Sequence, residues 1–248
     1  MYLLCLTVLA IDLCAIFIKR QTAGYFLREI TGGLPFVLFS HLLYLSVMKN
    51  ALIYLVSQSP RRRELLLQLG IKHEVVVAEI DETPHLGEPA EHYVTRMALA
   101  KARAGRALLP QADKPLLGAD TSVVVAGEIL GKPRDEAGAF RMLRVLSGQT
   151  HQVISSVALV DAAAEASRIS VSQVTFRDVS DAEARAYWRS GEPQDKAGGY
   201  GIQGLGALFV ERLEGSYSGV MGLPLFETAA LMGEFGIQLP MMGGKTAD

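Results

Sequence analysis

Cysteine is nearly absent from this chain of 248 residues: Cys5 and Cys14 are the only two, both near the N-terminus. The rest of the sequence therefore excludes disulfides, thiolate nucleophiles and cysteine-ligated metal. A surplus of charge is missing too, since 24 Lys and Arg stand against 26 Asp and Glu, a formal net charge of -2. Nothing in that balance favours a nucleic-acid partner, and no acidic tail or low-complexity run marks a disordered segment. Tryptophan occurs once, as Trp188 on an expected helix, and is read as a packing residue. The five histidines (41, 73, 85, 92 and 151) show no metal-ligand spacing. No G-x-x-x-x-G-K-[ST], G-x-S-x-G or H-E-x-x-H occurs, which removes the P-loop enzymes, the nucleophile-elbow hydrolases and the zincins.

Two long apolar runs are confined to residues 1–47. "MYLLCLTVLAIDLCAIFI" carries a single charge, Asp12, and is followed by Lys19 and Arg20; "GGLPFVLFSHLLYLSV" comes later. The first run is near the lower length limit of a membrane span, and its cations follow the apolar stretch instead of preceding it as in a signal peptide. If it spans, the positive-inside rule places the remainder in the cytoplasm. The competing expectation is a misplaced start, with the natural chain opening at Met48 just before a buried strand; a docked or disordered extension is the third. The sequence thus divides into an extension, 1–47, and one domain, 48–248, with a membrane partner only if the extension is genuine.

From residue 51 onward strands alternate with helices, the pattern of a single α/β domain. "ALIYLV" reads as a buried strand and "SPRRRELLLQLG" as a helix with Ser59 at the N-cap, Pro60 at the first position and Gly70 as the stop. "HEVVVAEI" reads as a second strand, and a long helix runs from about Pro89 to Leu108. "PLLGADTSVVVAGEILGKP" reads as two strands turning near Ala126–Gly127. A helix at Asp135–Leu146 leads to the strands "HQVISSVALV" and "RISVSQVTFRDV". Ser180 and Glu183 have the form of a capping box, and a last helix spans about Pro224 to Phe235.

Three arginines, Arg61 to Arg63, sit at the start of the first helix, the end that carries about half a positive charge and disfavours cations. A strand, a tight turn and a helix N-terminus form a ready anion site, to which Ser57 and Ser59 add hydroxyls and Arg61 and Arg62 add fork-shaped donors. Phosphate explains the arrangement; the plainer alternative is a solvated charge run. Asp120 lies where an apolar strand turns polar, Asp81 and Glu82 end another strand, Lys101 lies on a helix, and Lys132 stands between Gly131 and Pro133. A carboxylate that activates water or binds a divalent ion, ringed by cations, is the minimum set for phosphoanhydride hydrolysis. Taken singly, each is more often a cap, a turn residue or a surface ion pair. "GGYGIQG" holds four glycines in seven residues, so backbone can approach a ligand closely, and its polar side chains are Tyr200 and Gln203.

In order, the motifs "SQSPRR", "IDETP", "EHYVTRMALAKARA", "LGADTSVV", "GEILGKP", "MLRVLSGQTHQV", "VTFRDVS", "GEPQDKAGGYGIQG" and "GSYSGVMGLPL" resemble those of the Maf family of nucleoside triphosphate pyrophosphatases, over about Ala51 to Ile237. The resemblance implies a Maf/inosine-triphosphatase-like α/β fold, with a long mixed sheet in two lobes and a central cleft. It implies cleavage between the α and β phosphates, giving a monophosphate and pyrophosphate, with a divalent cation (Mg or Mn). Carried over by position, Asp120 is the base that activates water. Ser57, Arg61, Arg62, Lys101 and Lys132 hold the substrate, and Glu82 joins Asp120 as a metal-site acid. A homodimer rests on the resemblance alone, and the expected location is cytoplasmic.

Substrate choice is implied at three positions. The branch resembling dTTP/UTP pyrophosphatases reads S-P-R-R, G-A-D-T and Y-G-I-Q-G; the 7-methyl-GTP branch carries Trp, Gln and Glu at the places of Arg61, Thr121 and Gln203. All three residues favour dTTP and UTP, with modified pyrimidine nucleotides as further substrates. Gly199 and Ser122 depart from the commoner alanine and apolar residue. The alternatives are a 7-methyl-GTP or broad noncanonical nucleotide pyrophosphatase, and a nucleotide-binding regulator of septum formation that binds without turnover.

Overall fold

The computed structural model describes residues 52–239. The expectations for residues 1–47, and for a start at Met48, lie outside the described residues. Among the described residues no helix is long and apolar enough to cross a membrane.

The sheet is mixed and seven-stranded, in the order β2-β1-β3-β5-β6-β7, with β4 also paired to β3. Its strands are β1 (Ile53–Val56), β2 (His73–Val76), β3 (Leu116–Val125), β4 (Glu128–Leu130), β5 (Thr150–Val160), β6 (Glu165–Phe176) and β7 (Val210–Glu214). The helices are α1 (Pro60–Gln68), α2 (Ala90–Leu108), α3 (Glu136–Leu146), α4 (Asp181–Arg189), α5 (Tyr217–Met221) and α6 (Leu225–Glu234). β1 runs parallel to β2 and β3, whereas β3, β5, β6 and β7 form an antiparallel meander.

Local signals produce most of these boundaries. Gly70 adopts φ 72°, the left-handed conformation that ends α1. The capping box is formed in full, Ser180 Oγ accepting from the Glu183 backbone and the Glu183 carboxylate from that of Ser180. Ala126 (φ 49°) and Gly127 (φ 83°) make the two-residue turn between β3 and β4, both with the positive φ that matches strand twist.

Two local expectations change, and one short helix is added. β2 stops at Val76, short of the whole "HEVVVAEI", because its ladder partner β1 is itself only four residues long. Ser59 occupies the N-cap position but its side chain caps nothing; its own N–H donates to Ser57 Oγ, 3.1 Å away. Inside "GSYSGVMGLPL" the short helix α5 forms where Gly219 and Gly222 mask any helical period in the sequence. Ser216 caps it by accepting from Gly219 N.

The pairing of β3 creates the functional opening. One edge of this ten-residue strand is paired continuously to β5 from Leu116 to Val124. On the other edge, Leu116 and Leu117 pair with β1, while Val123 to Val125 pair with β4. The edge from Gly118 to Ser122 is left uncovered, and Asp120 stands at its middle. Two apolar clusters flank this gap. One gathers Ile53, Leu55, Leu117, Leu159 and Leu231, and the other Val123, Leu143, Val174, Phe176 and Phe209.

Helix α2 packs against β3 at small residues. A methyl built on Gly118 would overlap the Ala98 carbonyl and stand 2.7 Å from Ala102 N, so only glycine admits this approach. That contact sets the height of Lys101, one residue before Ala102, above the open strand edge.

Candidate active site

The gap beside β3 opens into a cleft of about 860 Å³, within the range of small-molecule sites. All nine residues expected from the sequence line it: Ser57, Arg61, Arg62, Glu82, Lys101, Asp120, Thr121, Lys132 and Gln203. They come from the β1–α1 turn, the loop after β2, α2, β3, the loop after β4 and the Gly-rich segment.

At the floor, Asp120 is 8% exposed. Lys101 Nζ lies 2.6 Å from Asp120 Oδ1 and 2.6 Å from Glu82 Oε1, so one ammonium bridges two carboxylates. Burial pushes the Asp120 carboxyl above its ordinary value, and Lys101 and Arg62 offset this only in part. Burial acts in the same direction on Glu82, but the hydrogen bond and charge of Lys101, with Lys132 and Arg62, hold it below the usual range. Two carboxylates thus differ in basicity because one is buried and the other reaches the mouth of the cleft.

The arginines divide the work. Arg62 Nε donates to the Gly222 carbonyl at 2.8 Å and Nη1 to Ser57 Oγ at 3.4 Å, which fixes its plane within the cleft. Its burial lowers its pKa, an effect opposed by Asp120 and reinforced by Arg61. Arg61 pairs at 3.2 Å with Asp195, from a segment 134 residues away. The opening conflict between cations and the helix dipole is eased by Asp195, Asp120 and Glu82, and because Ser59 makes no side-chain cap, the first backbone N–H groups of α1 stay free for an anion.

Supporting groups were not visible in the sequence. Tyr93 Oη donates to the Glu82 carbonyl at 2.9 Å, and burial, with the Asp120 and Glu82 charges, pushes that hydroxyl up to about 12. Arg96 makes a two-pronged bond to Glu88 at 2.7 and 2.6 Å and reaches the Thr83 carbonyl, pinning the loop that carries Glu82. Arg134 and Lys196 also line the cleft. Only an i to i+3 or i+4 pattern could have flagged such partners, and these contacts cross between elements.

The Gly-rich segment departs from expectation in one respect. Tyr200 is buried, and its hydroxyl is 2.8 Å from His151 Nε2, so it serves packing with Phe176 and His151 and is not a free ligand donor. Burial lowers His151 to about 4 and keeps that ring neutral. Gln203 is exposed on the cleft wall. Thr121 Oγ1 lies 2.8 Å from Ser155 Oγ, which donates to the Gly219 carbonyl, so the Thr121 side chain is short and tethered.

Six cationic side chains face three carboxylates in this cleft, an excess of positive charge focused between low-dielectric walls. A mixed-sheet α/β domain with such a cleft around one buried carboxylate is built to take a polyanion. The chain belongs to the family described as Maf-like protein, which matches residues 52–235.

Three curated relatives carry the name dTTP/UTP pyrophosphatase. That of Aromatoleum aromaticum is 52% identical over 202 residues, 77% of this chain and 98% of its own. That of Alkalilimnicola ehrlichii is 56% identical over 189 residues, 75% of this chain and 93% of its own. The relative from Salmonella typhimurium is 54% identical over 183 residues, 74% and 92% of the two chains. Among solved structures, the Staphylococcus aureus Ham1 protein overlays with a TM-score of 0.37 at 15% identity, over 52% of this chain and 72% of that one, too partial to bear on the fold.

Proposed function

We propose that this chain hydrolyses dTTP and UTP, and modified pyrimidine triphosphates, to the monophosphate and pyrophosphate. The observation that carries the reading is the buried Asp120 at the floor of a cation-rich cleft, in a chain more than half identical to relatives named dTTP/UTP pyrophosphatase.

In this reading Asp120 takes the proton of the attacking water. Its raised pKa makes it a stronger base than an exposed aspartate. Arg61, Arg62, Lys132 and the free N–H groups of α1 hold the phosphate chain, and Lys101 orients Asp120 and neutralises charge on the departing pyrophosphate. Gln203 reads the base, its amide donating to a ring carbonyl and accepting from the ring N–H of thymine or uracil. The tethered Thr121 keeps the cleft open where a longer side chain would intrude.

A divalent cation fits this donor set. Among the described residues no three His, Cys, Asp or Glu side chains converge, so an all-protein cage is absent. Mg²⁺ and Mn²⁺ accept one or two carboxylates completed by substrate phosphates, and Glu82 and Asp120 would hold the ion. When bound, it supplies charge neutralisation and polarisation of a phosphoryl oxygen.

Pyrophosphate release from dTTP, UTP, CTP, GTP and 7-methyl-GTP tests the reading. Turnover confined to dTTP and UTP supports it; a 7-methyl-GTP preference overturns the roles of Arg61, Thr121 and Gln203, and binding without turnover favours a regulator. In the same assay Arg62→Lys is expected to raise KM about tenfold or more, because lysine cannot bond Gly222 and Ser57 and still present a planar fork to phosphate. We further infer a cytoplasmic enzyme acting on free nucleotides and forming homodimers, to be checked by cell fractionation and light scattering.

A further inference from the structure

The segment after α4 ties the two ends of the cleft together. Asp195 pairs with Arg61 at the phosphate end. Three residues earlier, the Glu192 carboxylate accepts three hydrogen bonds: Oε1 from Tyr187 Oη at 2.7 Å and Gly206 N at 3.0 Å, and Oε2 from Leu205 N at 2.8 Å. Tyr187 Oη in turn accepts from Gly201 N at 3.0 Å. Lys196 Nζ, on the cleft wall, donates to the Glu192 carbonyl at 2.6 Å.

These bonds grip the Gly-rich segment on both sides of Gln203. The glycines are spaced to admit the grip. A methyl on Gly204 would overlap the Glu192 carboxylate, one on Gly201 would meet Lys196 Cε at 2.7 Å, and one on Gly206 would meet Tyr187 Oη at 2.7 Å. The glycine pattern is therefore a mould around Glu192, Tyr187 and Lys196, and a flexible loop would not require it. Glu192 does not line the cleft, so it acts through the backbone it holds.

We propose that Glu192 is a positioning residue for base recognition, clamping the 201–206 segment so that Gln203 is presented to the nucleobase at a fixed height. The proposal rests on the assignment of Gln203 to the base. A Gln amide on a loose segment still reaches the ligand but must be ordered at each binding event, which weakens recognition more than chemistry. Glu192 thereby acts on selectivity, whereas Asp120 acts on turnover.

Steady-state kinetics of the full chain with dTTP, UTP, CTP and GTP, for wild type, Glu192→Ala and Glu192→Gln, tests it. Glu192→Ala is expected to raise KM for dTTP and UTP about tenfold, to change kcat by less than about threefold, and to lower the preference over CTP and GTP about tenfold, the scale of one misplaced hydrogen bond to the base. Glu192→Gln keeps an oxygen for Tyr187 and Gly206 and should recover part of the preference. Gly204→Ala should damage the wild type yet add little to Glu192→Ala, since the carboxylate it strikes is gone. Should Glu192→Ala fold poorly, Tyr187→Phe removes the bridging hydroxyl, keeps the ring packing on Phe209, and should move selectivity the same way. Loss of active protein with an unchanged selectivity ratio overturns the proposal. A wild type preferring another base overturns the reading of the substrate instead; flattening of that other preference by Glu192→Ala would still support the clamp.

Discussion

Asp120→Asn is expected to lower kcat by about 10² to 10⁴, the usual contribution of a positioned base, while leaving the protein at least as stable as the parent. The two halves of this prediction share one cause. Asp120 is 8% exposed, and burial outweighs the combined attraction of Lys101 and Arg62, so its charged form is less favourable in the folded protein than in the unfolded chain. Asn has the same shape without the charge, and Lys101 retains Glu82 at 2.6 Å as its counter-ion.

The pH dependence follows with a definite sign. For a carboxyl whose folded pKa is raised, the associated stability is present in full below the unfolded value near 3.8 and is lost as pH rises through the folded value. At pH 7 the wild type therefore bears a cost that Asn lacks, and the thermal advantage of the variant should shrink as pH falls through the folded pKa and be gone below about 4. Wild-type kcat/KM should fall on the acid side through a pKa above that of an ordinary aspartate. Thermal melts and pH–rate profiles of both proteins check this; a variant that melts well below the wild type at pH 7 would show that the Lys101 pair outweighs burial.

Gly118→Ala is expected to be the most damaging single methyl addition along the open strand edge. The added carbon would overlap the Ala98 carbonyl and come within 2.7 Å of Ala102 N, both backbone atoms of α2 that no rotamer change can move. Overpacking of this kind costs about 1–3 kcal/mol, and more where backbone must shift. For a domain of this size that lowers Tm by about 2–12 °C. Because Lys101 precedes Ala102 on the displaced helix, activity at temperatures where the variant is folded should fall as well. Gly233→Ala is the control: nothing lies within 4 Å of the added methyl, so α6 should be unchanged or slightly more stable. Calorimetry of both variants checks the contrast, and equal melting points would mean that α2 adjusts freely.

Much of the domain was legible residue by residue. The alternation of apolar strands with amphipathic helices, the Ser180–Glu183 box, the Gly70 stop and the Ala126–Gly127 turn are local devices, each complete within a few residues, and each stands where the sequence places it. The chemical types needed to hold phosphate were also visible, because strand ends and helix starts face clefts in α/β domains.

What the sequence could not supply depends on pairing between distant segments. The truncation of β2 follows from the length of β1, and Asp120 becomes a cleft residue because β1 and β4 each cover only part of one edge of β3. The bridge from Lys101 to Glu82 and Asp120, the pair between Arg61 and Asp195, and the grip of Glu192 on Gly206 join different elements, so no local spacing encodes them. The sequence by itself determined the elements and the inventory of charges, since both are set by periodicity and composition. Only the tertiary structure decided which carboxylate is buried and basic, which hydroxyl is already spent on packing, and which glycines make room for a clamp, because burial and hydrogen-bond partnership exist only once the chain has closed on itself.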